Sequence, residues 1–179
     1  MRFPLWKRDA EAGPAYFIRA SRSDDMGAVD LLLSRSYPRL LKADYPPSVL
    51  VTAIPLISRA QPELLRSGTY YVAEAADGGI WGAGGWSLAP PGGTAQRGVA
   101  GHIRHFATDP VHVRKGVAAA VMHRVLLDAR AAGLTALECF STRTAVAFYA
   151  AQGFEVEAGV ELRLGNAVVF PAVRMSRAI

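Results

Sequence analysis

The chain has 179 residues, 51% of them hydrophobic and 20% charged, enough apolar surface to exclude a disordered chain and to build one domain. No apolar run approaches the ~20 residues that a membrane-spanning helix needs, and a lone cysteine, Cys139, excludes an internal disulfide and a cysteine-built zinc site. The formal net charge is +5, which raises the question of an anionic partner.

Residues 1–15 read as a ragged leader without the apolar stretch of a signal peptide, so a cytoplasmic protein is expected, with residues 1–179 as a single domain. Tyr16–Ala20 reads as a first strand. Ser23, Asp24 and Asp25 offer an N-cap and acidic first-turn residues to a helix carrying Met26, Val29, Leu32 and Leu33. That helix is expected to stop near Tyr37-Pro38, since proline disfavours helix in the residue before it. Pro46-Pro47 breaks the chain, and Ser48 is the expected cap of a second helix with Leu50, Val51, Ile54 and Ile57 on its apolar face and Pro55 as a kink. Pro62 opens a short helix ending near Gly68. Thr69–Glu74 and Ile80–Leu88 form a hairpin through Asp77-Gly78-Gly79, and residues 89–97 read as a loop.

The second half is better punctuated. Val99–Thr108 reads as a strand ended by Asp109-Pro110. A helix from about Lys115 to Ala132 repeats Val117, Val121, Val125 and Ala129 on one face, and Gly133 is its natural terminator. Leu134–Phe140 follows as a buried strand. A short helix over Thr144–Ala151 ends at Gly153, and a last hairpin pairs Phe154–Leu164 with Ala167–Met175 across Gly165-Asn166. One β-α-β unit thus sits inside a mostly antiparallel sheet of six or seven strands, an α+β arrangement.

The charge points away from nucleic acid. Ten basic and nine acidic side chains fall in residues 1–96, and ten and six in residues 97–179. No basic run exceeds two residues and no aromatic stripe interleaves with them, so a nucleic-acid-binding domain is the weaker alternative. A small anion in the second half fits better. Asp109–Met122 is a strand end, a turn and a helix start; unpaired backbone N–H groups there carry the positive end of the helix dipole. Gly116 permits close approach, Ala118, Ala119 and Ala120 keep the first turn slim, and Arg114 and Lys115 add charge. The plain alternative is an ordinary helix start with two surface charges. Neither G-x-x-x-x-G-K-[ST] nor G-x-G-x-x-G is present.

These segments resemble the GCN5-related N-acetyltransferase (GNAT) superfamily. Val113-Arg114-Lys115-Gly116-Val117-Ala118 falls on its [Q/R]-x-x-G-x-[G/A] phosphate loop, with Asp109-Pro110 ahead of it. Thr142–Phe154 resembles its N-x-x-A-x-x-F-Y-x-x-x-G-F segment. Val113 departs from the usual Gln or Arg, and Thr142 from Asn. The resemblance implies a three-layer α/β/α fold with helices on both sheet faces. It also implies acetyl-CoA as co-substrate, and direct transfer in a ternary complex to a primary amine of a small molecule or peptide. Backbone groups of Phe106, Ala107 and Thr108 would pair with the pantetheine arm, and those of Arg114 through Ala119 would hold the pyrophosphate. Tyr149 would act as the acid toward the leaving thiolate.

Amine attack needs a base, because an alkylammonium has a pKa near ~10.4. His102, where several members of the family carry a catalytic Glu, is the first candidate and His105 the second; a water relayed from Glu74 or a backbone carbonyl is the third. Residues three apart on a regular strand face opposite ways, and no carboxylate cluster joins His112 or His123, so no metal is expected. Cys139, in an apolar strand, reads as a buried thiol. By the resemblance, acceptors lie along Tyr37–Pro62 and Leu164–Phe170. Tyr37, Tyr45, Trp86, Asp44 and Glu74 are candidate contacts, and Val168–Phe170 a candidate surface for a homodimer. A CoA-binding module without catalysis is the alternative within the same fold.

Overall fold

The computed structural model describes residues 15–91, 93, 100–165 and 168–179. Among these, β1 (Tyr16–Ala20) is followed by three helices: α1 (Met26–Leu41), α2 (Pro47–Ile57) and α3 (Pro62–Arg66). Then come β2 (Tyr70–Ala75), β3 (Ile80–Ser87), β4 (Ala100–Thr108), α4 (Val117–Ala131), β5 (Ala136–Ser141), α5 (Val146–Ala151), β6 (Glu155–Leu164) and β7 (Val168–Ala178). The seven strands form one sheet in the order β1-β2-β3-β4-β5-β7-β6. Only β4 and β5 are parallel, and the α4 crossover between them returns the chain in the same direction. The fold is the α+β arrangement expected.

Strand alternation gives each face of the sheet its own core. Tyr71 and Ala73 of β2 point to one side, where they meet Val117, Val121, Met122 and Val125 of α4 and Tyr149 of α5. Tyr70 and Val72 point to the other, against Val29, Leu32 and Leu33 of α1 and Leu64 and Leu65 of α3. Further along that second face, Phe170 and Ala172 of β7 pack on Leu41, Leu50 and Ala53. Each fully buried Val or Leu contributes about 1.5–3 kcal/mol, so the every-fourth-residue stripe of α4 alone ties that helix firmly to the sheet.

The helix boundaries differ from expectation at the prolines. Helix α1 does not stop at Tyr37; it runs through Pro38 to Leu41. Pro38 lacks the N–H that Ser34 would receive, yet both residues are exposed, so water satisfies the freed carbonyl. Leu41, buried beyond the proline, anchors the last turn. In α2, Pro55 and Val51 repeat that arrangement on an exposed face. Ser48 does not cap α2: Pro46 is the cap and Pro47 the first helical residue, a position where a missing N–H costs nothing. Strand β7 extends past Met175 to Ala178 because it pairs with β5 along Ala136–Ser141. Gly133 and Gly165 adopt positive φ, as the turns there require. Most of the 89–97 loop, and Asn166, lie outside the described residues.

Candidate active site

Strands β4 and β5 share only three residue pairs, Ala100 with Ala136, Gly101 with Leu137 and His102 with Glu138. Beyond them β4 continues beside β3 alone and β5 beside β7 alone. The strands part like a V, and Ile103–Thr108 keeps one backbone edge without a strand partner. Within that stretch the β3–β4 register slips: Ala83 faces Ala107 while Gly85 faces Arg104. His105 and Phe106 therefore both oppose Gly84, a β-bulge, and His105 takes φ +45°, uncommon for a residue with a Cβ.

Long-range contacts hold the bulge. The Tyr70 hydroxyl donates to the His105 carbonyl at 2.9 Å. The Gln61 side chain bridges two β4 residues: its Oε1 accepts from Arg104 Nη2 at 3.0 Å, and its Nε2 sits 3.1 Å from His105 Nε2. With the amide oxygen committed to Arg104, the amide nitrogen donates to the imidazole. His105 Nε2 is therefore the acceptor and its proton lies on Nδ1. Burial, reinforced by the Arg104 charge, lowers the His105 pKa to about 4, so the ring is neutral at pH 7. Phe106 lies flat over Gly84, where an added Cβ would sit 2.3 Å from the ring.

A cavity of about 510 Å³ opens at the V, within the ordinary range for a small-molecule site. Its walls include Tyr37, Gln61, Arg104, His105, Thr142 and Tyr149. Tyr149 projects from α5 into an aromatic setting, edge-on to Phe154 and Phe106. Burial first, then nearby Cys139 and Tyr37, raises its pKa well above 10, so the hydroxyl keeps its proton. Tyr37, from α1, is likewise held protonated by burial. Arg104 is only 9% exposed, and burial pulls its pKa down against an opposing effect of Tyr70.

At the other end of β4 the chain turns into α4. Asp109, buried, accepts from the Val111 N–H through Oδ1 and from the His112 N–H through its carbonyl. Arg114 has φ +65° and Gly116, the N-cap of α4, φ +80°. Residues Val113–Gly116 are exposed while Val117 is buried, so the side chain of Val117 pins the start of α4 and leaves the loop before it at the surface. The His112 ring stacks on Trp81 with centroids 3.7 Å apart, and Lys115 Nζ lies 6.0 Å from the Trp81 centroid and 3.4 Å from His112 Nδ1. Helix α4 thus presents unpaired amides and the positive end of its dipole beside the open edge of β4. A family model for the acetyltransferase (GNAT) domain matches residues 66–156.

The chain belongs to the GNAT acetyltransferases. Solved structures agree on the fold of this acetyltransferase. A GCN5-related N-acetyltransferase from Rhodopseudomonas palustris is 15% identical with a TM-score of 0.74, covering 93% of this chain and 97% of its own. PaiA N-acetyltransferase from Thermoplasma acidophilum, solved in complex with coenzyme A, is 13% identical with a TM-score of 0.69, covering 93% and 100%. A ribosomal-protein-alanine N-acetyltransferase from Brucella melitensis is 13% identical with a TM-score of 0.64, covering 91% and 99%. No curated protein matches the chain.

In this GNAT domain the residues singled out from the sequence fall into three groups. Tyr149, His105, Phe106 and Thr142 share the cavity wall. Ala107 and Thr108 lie on the open-edged part of β4, and Val113 through Ala119 form the loop and the start of α4. His102 lies outside the cavity wall, two residues before Arg104 on the same strand face, with Nδ1 3.7 Å from Glu138 Oε2. Burial lowers its pKa below 6.5, Glu138 opposes that and Arg104 adds to it, so it is neutral at pH 7. Glu74 pairs with Arg19, Asp44 accepts from the Thr144 hydroxyl at 2.6 Å, and Trp86 donates to Asp128 from the α4 core; none of the three lines the cavity. Tyr45 stacks on Phe170 and donates to the Pro171 carbonyl, so it braces the fold. Cys139 is buried and its pKa is pushed up to about 12, a thiol rather than a thiolate. Among the described residues no three His, Cys, Asp or Glu side chains gather as metal ligands, and no helix is long and apolar enough to cross a membrane.

Sequence reasoning missed Gln61, Tyr70 and Arg104. Only Arg104 carries a sequence signal, a permanent cation in the middle of a strand between His102 and His105.

Proposed function

We propose that this GNAT domain moves an acetyl group from acetyl-CoA to a primary amine held in the cavity, by direct attack in a ternary complex. The observation that carries the reading is the succession of three features along β4. These are the cavity with a protonated Tyr149 in its wall, the edge of β4 beyond it that has no strand partner, and the free first-turn amides where α4 begins. The residues present fit the co-substrate: the positive φ at Gly116 and the lack of bulk at Ala118 and Ala119 leave room at the amides of residues 114–119. Acetyl-CoA supplies the activated thioester carbonyl. Backbone N–H groups of Phe106 and Ala107 favour the charge that develops on the carbonyl oxygen. Tyr149 gives its proton to the departing sulfur and prevents a free thiolate from leaving into an apolar wall.

The two histidines differ in what their ring nitrogens have free. His105 Nε2 is already engaged by Gln61. His102 keeps Nε2 free when its proton on Nδ1 faces Glu138. We therefore assign the base to His102, reached from the cavity through water, since its strand position lies about 7 Å from Arg104. Its charged form does not accept a proton, so kcat falls as pH drops through a pKa below 6.5. In His102→Asn the plateau near pH 7 drops about 100-fold and that acidic limb disappears. A variant that keeps both the plateau and the limb removes His102 from the mechanism.

Calorimetric titration with acetyl-CoA tests the reading as a whole. A Cβ added at Gly116 would meet, beyond its chain neighbours, only the Tyr16 hydroxyl at 3.9 Å among the described residues, so Gly116→Val meets strain rather than a clash. Forcing an L-residue to φ +80° costs about 1–2 kcal/mol, and the methyl groups crowd the amides. Affinity is expected to fall about tenfold or more, with the circular dichroism spectrum retained. Wild-type protein that is folded and does not bind acetyl-CoA overturns the proposal.

A further inference from the structure

Arg104 is among the most buried charges described, and no carboxylate among the described residues pairs with it. The contrast with Arg19 is instructive: that side chain is paired with both Asp25 and Glu74. Arg104 is met only by neutral groups. Its Nη1 donates to the Ser87 hydroxyl at 2.8 Å and to the Ala89 carbonyl at 3.3 Å, and its Nη2 to Gln61 Oε1 at 3.0 Å. Its Nε has no hydrogen-bond partner among the described residues. A guanidinium has five N–H donors. Three are used here, and the Nε–H and one Nη2–H remain. A buried cation without a counter-ion is costly, and such charges gather where a ligand supplies the missing partner.

The position of Arg104 says which ligand. It lines the same cavity as Tyr149 and His105 and immediately precedes the bulge. The amides of Phe106 and Ala107, two and three residues on, are those proposed above to face the reacting carbonyl. The bulge amides that face the reacting carbonyl therefore lie about one strand repeat, roughly 7 Å along the backbone, from Arg104, a span filled by a carboxylate at the guanidinium, a short linker and the amine against the carbonyl. Arg163 and Glu161 also border the cavity; both are exposed and offset one another, so Arg104 is the unbalanced charge inside.

We infer that Arg104 binds a carboxylate of the acetyl acceptor, so that the cavity takes a free α-amino acid. The inference rests on the reading of this cavity as the acceptor site. Amine and carboxylate lie two bonds apart in such a molecule, which suits the short span between Arg104 and the bulge. A planar guanidinium suits a planar carboxylate. The N-terminus of a polypeptide fits less well, because its α-carboxyl is consumed in a peptide bond.

The test pairs each α-amino acid with its own α-amide, using the full chain, acetyl-CoA and release of the CoA thiol as readout. For at least one pair the acid is expected to exceed the amide in kcat/KM by tenfold or more. In Arg104→Gln that ratio collapses toward one, and in Arg104→Lys part of it returns. The ratio, rather than the rate, is the readout, because loosening the contacts to Ser87, Ala89 and Gln61 changes both substrates alike. The wild-type ratio stands as a test by itself if Arg104→Gln fails to fold. Amides that match their acids, a ratio that survives in Arg104→Gln, or a protein that binds acetyl-CoA and turns over no amino acid overturns the assignment and leaves the acetyltransferase reading standing. A wild-type protein that does not bind acetyl-CoA removes the reading of the cavity and this assignment together.

Discussion

Tyr149→Phe is expected to lower kcat by about 10²–10⁴-fold while the affinity for acetyl-CoA stays within a few-fold of wild type. The substitution removes one oxygen and keeps the ring that packs against Phe154 and Phe106. No described protein group hydrogen-bonds to that hydroxyl, so none is orphaned and folding stability changes little. The effect falls on the leaving group, which must depart as a thiolate without a proton. Stopped-time assays with an amine acceptor, beside calorimetry with acetyl-CoA, separate the two quantities. A variant that turns over at the wild-type rate sinks the acid role and leaves Tyr149 as a packing residue. A variant that loses acetyl-CoA binding instead places the hydroxyl in cofactor recognition.

Gly84→Val produces the largest expected loss of stability. The bulge places Phe106 directly over Gly84, and a built Cβ comes within 2.3–2.7 Å of three atoms of the ring. The ring has to leave, and with it the backbone of a segment held at φ +45° by the Tyr70 and Gln61 contacts. Overpacking of this kind costs about 1–3 kcal/mol, or about 2–9 °C in melting temperature for a chain of this size. Activity suffers further because the displaced amides of Phe106 and Ala107 are those proposed to face the acetyl carbonyl. Shortening the opposing ring in a Gly84→Ala, Phe106→Leu pair is expected to recover most of the stability lost in Gly84→Ala, a non-additivity that marks direct contact. Thermal denaturation of the single and double variants measures it; full additivity refutes the contact.

The parts of this molecule that were legible in the sequence are those set by near neighbours. The Val117, Val121, Val125, Ala129 spacing announces α4 because a helix face depends on residues three and four apart. Gly116 and Gly133 mark its two ends because a backbone that bends leftward favours glycine. The proline at 38 misled for a related reason. Its local cost is visible in the sequence, whereas the water-facing side on which it falls, and the buried Leu41 that carries α1 onward, depend on the packed sheet. The least legible residues were Gln61, Tyr70 and Arg104. Gln61 has no motif, and its meaning arises when the α3 segment meets β4 across forty-three residues. The bulge itself is a mismatch between two strands, so neither strand read alone reveals it. His102 stood ahead of His105 as a candidate base by its position alone, and the contact of the Gln61 amide with the His105 ring joins residues forty-four apart, which neither segment read alone reveals.

The three residue pairs between β4 and β5 bear on how the molecule yields. Four strands on one side and three on the other are sewn by a seam three stitches long. A single apolar bed of α4, α5 and strand side chains runs beneath both halves. The continuity of the sheet across the wedge therefore resides in that bed more than in its backbone ladder.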